Sequence, residues 1–387
     1  MRTALNDNFS RLVPSYLFSE IAARQKVFSA AHPEVKIIRM GIGDVTRPLA
    51  PAVIEAMHRA VDDCALPETF HGYGPEHGYA FLRERIAQQD YAGLGIGPDE
   101  IFISDGAKSD LGNLVDLFDD RNVIGIPTPV YPVYVDTNLM RGRTIRYIDC
   151  TEADGFTGQI PDFPVDILYL CYPNNPTGAA ISREKLSAWV DYAHANGSVI
   201  IYDSAYEAFI REPSLPHSIF EIEGAKECAI EVRSYSKTAG FTGIRCGYTV
   251  IPKELGPLGA MWERRQGCKF NGASYISQRG AAAIYTPEGR RQVRADIDAY
   301  LENAALIRSG LEAIGLHATG GENAPYIWAR TPEGMDSWKF FDLCLEKAGV
   351  VITPGCGFGR GGEGYFRITA FNSRDNVCEA MQRLKAL

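Results

Sequence analysis

Lys237 stands among small hydroxyl residues in the stretch Ser234-Tyr235-Ser236-Lys237-Thr238-Ala239-Gly240-Phe241-Thr242-Gly243-Ile244-Arg245. Taken alone, a lysine reads as a solvated surface charge. Here residues 227–232 alternate charged and apolar side chains, as a strand entering a sheet does, and the residues after Lys237 are rich in Gly and Thr, as in a loop at a strand end. The carboxyl edge of an α/β sheet is where such folds bind ligands. Ser234 and Ser236 can donate to phosphate oxygens, and the Arg245 fork can clamp them. An amine able to lose its proton near neutral pH, beside a phosphate anchor, suits a Schiff base to pyridoxal phosphate (PLP).

That chemistry also needs an acid facing the pyridine nitrogen, so that the ring can act as an electron sink. Asp203 follows the apolar run Val199-Ile200-Ile201-Tyr202, which reads as a buried parallel strand. Asp at a strand end also serves as a helix cap or turn residue. Upstream, residues 167–172 form another apolar strand that runs into Pro173-Asn174-Asn175-Pro176-Thr177-Gly178. A plain turn explains that segment by itself. The three segments in this order, each after an apolar strand, resemble the fold-type I aminotransferases.

Around these residues the sequence predicts strands over 35–40, 101–104, 123–126, 166–171, 199–202, 228–233 and 247–251. Helices are expected over 16–31, 51–61, 183–195 and 287–314, with Pro51 at the start of the second. Alternating strand and helix signals argue for a mostly parallel sheet covered on both faces. Asp105-Gly106-Ala107-Lys108-Ser109 opens a further helix running toward 118, whose free N–H groups suit an anion. The Gly/aromatic segment 70–79 is too polar and broken for core and reads as a projecting loop. Tyr131 in its Pro-rich turn can stack on a flat ring or simply pack. Residues 324–329, 337–348 and 364–371 read as strand, helix and strand, followed by a C-terminal helix. Arg367 inside the last strand is costly to bury unpaired, so it faces an anion, a carboxylate partner or water.

With 387 residues, 45% of them hydrophobic, the chain can bury a large core and is expected to form two domains. A net charge of −9 argues against a nucleic-acid groove. Nine scattered cysteines without a Cys-x-x-Cys pair read as reduced thiols of a cytoplasmic enzyme with no metal site. The polar start lacks the apolar core of a signal peptide, and no stretch is apolar enough to span a membrane.

Longer motifs sharpen the resemblance. Gly41-Ile42-Gly43-Asp44-Val45-Thr46-Arg47-Pro48, His71-Gly72-Tyr73-Gly74-Pro75-Glu76, Ser104-Asp105-Gly106-Ala107-Lys108, Lys269-Phe270-Asn271-Gly272 and Gly364-Tyr365-Phe366-Arg367 join the lysine motif. Together they are similar to the LL-diaminopimelate aminotransferase family over nearly the whole chain. The resemblance implies an α/β fold of fold-type I. Its large PLP-binding domain, 46–284, would carry a mostly parallel seven-stranded sheet, and 1–45 with 285–387 would form a smaller α+β domain. It implies Lys237 as the Schiff-base lysine and proton shuttle, Asp203 on the pyridine nitrogen, Asn175 and Tyr206 on the phenolic oxygen, and Tyr131 over the ring. The phosphate would be held by Ala107, Lys108, Ser234, Ser236 and Arg245, with Tyr73 from a second subunit. Arg367 and Asn175 would hold the α-carboxylate. Tyr16, Gly43, Lys108, Glu76 and Asn271 would read the distal end, the last two across a homodimer interface where Asn271 also approaches the cofactor.

The implied reaction is amino transfer between L-glutamate and tetrahydrodipicolinate, giving LL-2,6-diaminopimelate and 2-oxoglutarate. A relative with shifted amino-acid specificity, such as one acting on lysine or a natural-product precursor, and a PLP lyase are the competing readings.

Overall fold

Unbroken apolar runs, without the alternation that puts every second side chain in water, have to be covered on both faces. Residues 167–171 are buried throughout, and so are 200–203. In the computed structural model, which describes residues 3–13 and 17–387, these runs form the middle of a seven-stranded sheet. Its strands are β1 (Ile101–Ser104), β2 (Val123–Thr128), β3 (Thr144–Asp149), β4 (Ile167–Cys171), β5 (Val199–Asp203), β6 (Ala229–Ser234) and β7 (Gly247–Val250). They lie in the order β1-β7-β6-β5-β4-β2-β3. All neighbouring pairs are parallel except those of β7, which runs antiparallel to both β1 and β6.

Sequence pattern missed β3. Its residues Thr-Ile-Arg-Tyr-Ile-Asp lie at the sheet edge and are mostly exposed or half-buried, so no apolar run marks it. The strand expected over 228–233 is β6, and its charged residues Glu231 and Arg233 are both buried within it. Arg233 Nε donates to Glu231 Oε1 at 2.5 Å, and the Tyr91 and Ser218 hydroxyls donate to the same carboxylate, each at 2.7 Å. Arg233 also meets Glu207 at 3.4 Å and donates to the His217 carbonyl at 2.7 Å, so the buried charges are shared across a network.

Apolar clusters cover the two faces of the sheet. The helix Pro287–Glu312 packs through Val293, Ile297, Tyr300, Ala304, Ile307 and Leu311, a buried stripe at three- and four-residue spacing. It begins at Thr286, whose side chain accepts from the Gly289 N–H. A second, antiparallel sheet has the order Thr353–Pro354, Tyr365–Thr369, Tyr326–Arg330 and Ala318–Gly320. The strand expected over 35–40 is reduced to Ile38–Arg39, paired with Val350–Val351. The helix opening at Ala107 ends at Asn113 and continues as a 3₁₀ turn, Leu114–Leu117.

Candidate active site

The direction of the strands decides which side chains meet. β2, β4, β5 and β6 run parallel, and β1 runs the same way because β7 reverses direction on both sides. All five therefore end at one edge. There Tyr131 follows β2, Asn175 follows β4, Asp203 closes β5, Ser234 closes β6, and Ala107 and Lys108 follow β1. Lys237 sits just beyond, in the one-turn helix Tyr235–Thr238, capped by Ser234, whose side chain accepts from the Ser236 N–H. Arg367 reaches the same place from the buried strand Tyr365–Thr369 of the smaller sheet. The result is a cavity of about 410 Å³ lined by Gly43, Asp44, Ala107, Lys108, Tyr131, Asn175, Asp203, Tyr206, Ser234, Ser236, Lys237, Arg245, Tyr326 and Arg367, among others.

Each end of the cavity is cationic. At one end Arg245 Nη1 donates to Ser236 Oγ at 3.3 Å, and Lys108 also lines the cavity. Gly106 makes this approach possible, because a Cβ there would lie 2.7 Å from Arg245 Nη2, and its φ of +128° suits glycine alone. Arg245 itself holds φ +67°, a left-handed conformation that a non-glycine residue keeps only where its surroundings enforce it. At the other end Arg367, 1% exposed, donates from Nη1 to Asn175 Oδ1 and from Nη2 to the Gly41 carbonyl, both at 2.6 Å. Among the described residues, four cationic side chains and two carboxylates, Asp44 and Asp203, line one cavity of a chain with net charge −9. The donor set fits a ligand with an anionic group at each end, such as a phosphorylated cofactor and a carboxylate substrate bound together.

Between the two ends lies Lys237, which donates from Nζ to the Gly43 carbonyl. Burial lowers its ammonium to about 8, helped by the charges of Arg367 and Arg245 and opposed by Asp44. An amine in this range has a usable neutral fraction at physiological pH. Asp203 is buried, and burial raises its carboxyl to about 6. Its hydrogen bonds from the Tyr134 hydroxyl to Oδ2 at 2.5 Å and from the Ala205 N–H to Oδ1 at 3.1 Å work the other way. A cationic ring nitrogen placed there would restore the charged form.

Of the residues singled out from sequence, Gly43, Ala107, Lys108, Tyr131, Asn175, Asp203, Tyr206, Ser234, Ser236, Lys237, Arg245 and Arg367 share this cavity. Tyr16 lies outside the described residues. Tyr73, Glu76 and Asn271 are not among its lining residues. Tyr73 is 90% exposed, and Glu76 and Asn271 are also exposed. Their two segments approach each other: a Cβ on Gly272 would lie 3.4 Å from the Pro75 carbonyl, and the His71 ring lies 3.8 Å from that of Tyr275, which opens the helix after Asn271.

Sequence reasoning missed Tyr134 and Tyr326. Tyr134 stands three positions after Tyr131, in the first turn of a helix, and no motif distinguishes it from core. Tyr326 opens a strand of the smaller sheet, and its hydroxyl lies 2.9 Å from that of Tyr206. Neither partnership has a signal in local sequence, since each joins segments far apart in the chain.

The profile described as "Aminotransferase class I and II" matches residues 35–384. The chain belongs to that family. It is 56% identical over 402 residues to an LL-diaminopimelate aminotransferase of Parabacteroides distasonis and 54% identical over 404 residues to one of Bacteroides fragilis. In both cases 98% of each chain is covered. Its structure superposes on the L,L-diaminopimelate aminotransferase of Chlamydomonas reinhardtii with a TM-score of 0.96 at 42% identity, covering 100% of this chain and 99% of that one. The fold is therefore that of the fold-type I aminotransferases, built on the mostly parallel sheet expected from sequence.

Proposed function

We infer that this protein is a PLP-dependent LL-diaminopimelate aminotransferase, which moves an amino group between L-glutamate and tetrahydrodipicolinate. The observation that carries this reading is the shared cavity itself. Lys237, with its amine brought to about 8, lies with buried Asp203 between two guanidinium ends, Arg245 and Arg367. The similarity to enzymes of that name over 98% of the chain supports the substrate.

PLP, when bound, supplies an aldehyde that carries the amino group and a ring that delocalises charge from the substrate α-carbon. Ser234, Ser236, Arg245, Lys108 and the Ala107 amide would hold its phosphate, Asp203 would pair with its ring nitrogen, and Tyr131 would cover its face. Asn175 and Tyr206 would face its phenolic oxygen. Arg367, held by Asn175 and the Gly41 carbonyl, binds the substrate α-carboxylate with a fixed fork, which sets the angle at which the α-carbon meets Lys237. The neutral Lys237 Nζ would take the proton from that carbon and hold it for return. Both half-reactions use one site, so ping-pong kinetics are expected.

We further propose a homodimer in which Tyr73, Glu76 and Asn271 complete the partner's site. Exposed apolar side chains at Val61, Leu66, Phe70 and Tyr73, on the segment that carries Tyr73 and Glu76, support this. In the completed site Gly43, Lys108, Glu76 and Asn271 would read the distal ammonium and carboxylate. The domain division proposed is 46–284 and 1–45 with 285–387. It is supported by the sheet strands falling within 101–250 and by the ladder that ties 38–39 to 350–351. No described helix is long and apolar enough to cross a membrane, and a cytoplasmic location is proposed on the nine free thiols.

The test is to mix PLP-loaded protein with LL-diaminopimelate in the absence of any keto acid and follow the cofactor's absorption. Conversion of the cofactor to its amine form, with meso-diaminopimelate inactive, is the expected result. Conversion by glutamate alone would refute the substrate and keep the aminotransferase. Release of ammonia or pyruvate without an acceptor would select a lyase.

A further inference from the structure

Tyr326 is 1% exposed and touches both working ends of the site. Its hydroxyl lies 2.9 Å from that of Tyr206, and its ring lies under Arg367, whose guanidinium carbon is 4.4 Å from the ring centroid. Arg367 donates to Asn175 Oδ1 at 2.6 Å, and the Asn175 amide nitrogen reaches the Tyr206 hydroxyl at 3.5 Å. The four side chains close a circuit. It joins the phenol assigned to the cofactor oxygen to the guanidinium assigned to the substrate carboxylate. The place of the Tyr326 hydroxyl is also reserved by backbone, since a Cβ on Gly43 would collide with it.

We propose that Tyr326 is a positioning residue that donates its hydrogen bond to Tyr206, turning the Tyr206 proton toward the cofactor's phenolic oxygen. This rests on the roles given above to Tyr206 and Arg367. A phenol has one proton to give. If Tyr206 spent it on Tyr326, none would remain for an oxygen in the cavity. The Arg367 charge over the Tyr326 ring stabilises electron density on that ring and makes Tyr326 the stronger donor. Burial raises both phenols, and Arg367 opposes the rise at Tyr326. With Tyr326 donating, the Tyr206 oxygen accepts from two neighbours, which polarises its own O–H toward the third direction.

Three variants in the PLP-loaded protein separate the roles: Tyr206→Phe as reference, Tyr326→Phe, which keeps the ring and removes the hydroxyl, and Tyr326→Leu, which removes both. The readouts are the pH midpoint of the cofactor's absorption without substrate, KM for glutamate, and Tm. A hydrogen bond to the ionised phenolic oxygen holds that midpoint down, so Tyr206→Phe should raise it by more than about one pH unit. Tyr326→Phe should raise it by roughly 0.3–1 unit and leave KM within about twofold, because the ring under Arg367 is intact. Tyr326→Leu should raise both, KM by roughly three- to tenfold. A midpoint unmoved by Tyr326→Phe while Tyr206→Phe moves it overturns the proposal. A midpoint unmoved by Tyr206→Phe removes the Tyr206 assignment and the proposal with it.

Discussion

Carrying the ligand-free protein through neutral pH titrates Lys237, and the structure sets how much neutral amine this yields. An amine at the ordinary lysine value of 10.5 is about 0.03% neutral at pH 7, whereas one at about 8 is about 9% neutral, a difference of roughly 300-fold. The rate at which PLP combines with the protein should follow that fraction and level off above about pH 8. The cofactor's own titration is divided out with a small primary amine under the same conditions, and Lys237→Ala serves as the blank. The neighbouring charges fix the sign of two perturbations. Asp44 opposes the lowering, so Asp44→Asn should move the midpoint down; Arg367 contributes to it, so Arg367→Leu should move it up, each by roughly half a unit. A combination rate still rising past about pH 10 would refute the buried-amine argument, and an upward shift in Asp44→Asn would refute its electrostatic part.

Asp203 offers a stability test. Burial raises its carboxyl to about 6 from an ordinary 3.8, so between those values the folded protein binds more protons than the unfolded chain. The associated stability is full below about pH 4 and is lost as pH rises through about 6. In the ligand-free protein Asp203→Asn should therefore raise Tm near pH 8, by up to about 3 kcal/mol of stability, and leave it unchanged near pH 4. It should also lower kcat on the order of 10²- to 10³-fold. Equal Tm at both pH values would count against the assignment. Gly106→Ala places a methyl group 2.7 Å from Arg245 Nη2 at a φ of +128° and should weaken PLP binding at least tenfold, measured as Kd by titration of the ligand-free protein. Unchanged affinity would detach Arg245 from the phosphate. Glu76→Ala should depress kcat/KM for LL-diaminopimelate far more than for glutamate, and equal losses would end its distal-site role.

Local sequence carried the strand-end positions of the site. Asp203 and Asn175 were legible because each follows an apolar run that can only be the interior of a covered sheet, and the end of such a strand is fixed by where that run stops, while Lys237 was legible from the alternation of 227–232 and the Gly/Thr-rich loop after it. The same logic failed for β3, whose edge position leaves its side chains in contact with water. The strand expected over 228–233 is present as β6, and its charges are tolerated in the sheet's interior because Glu231 and Arg233 pair there, with Glu207 and the His217 carbonyl also on Arg233. The outer set, Tyr73, Glu76 and Asn271, carries recognisable motifs, but folding of one chain leaves it on the surface.

Sequence by itself determined the residue types, their order, and which of them close a buried strand, because solvent exclusion acts on each run of side chains locally. Only the tertiary structure decided which ends face each other. β7 runs antiparallel and brings β1 into the direction of the other strands, so that Lys108 and Lys237 share a cavity. The smaller sheet presses Tyr326 and Arg367 against Tyr206 and Asn175. Those contacts depend on the relative placement of segments more than a hundred residues apart, and the shifts that tune Lys237 and Asp203 arise from the burial and charge that this placement creates.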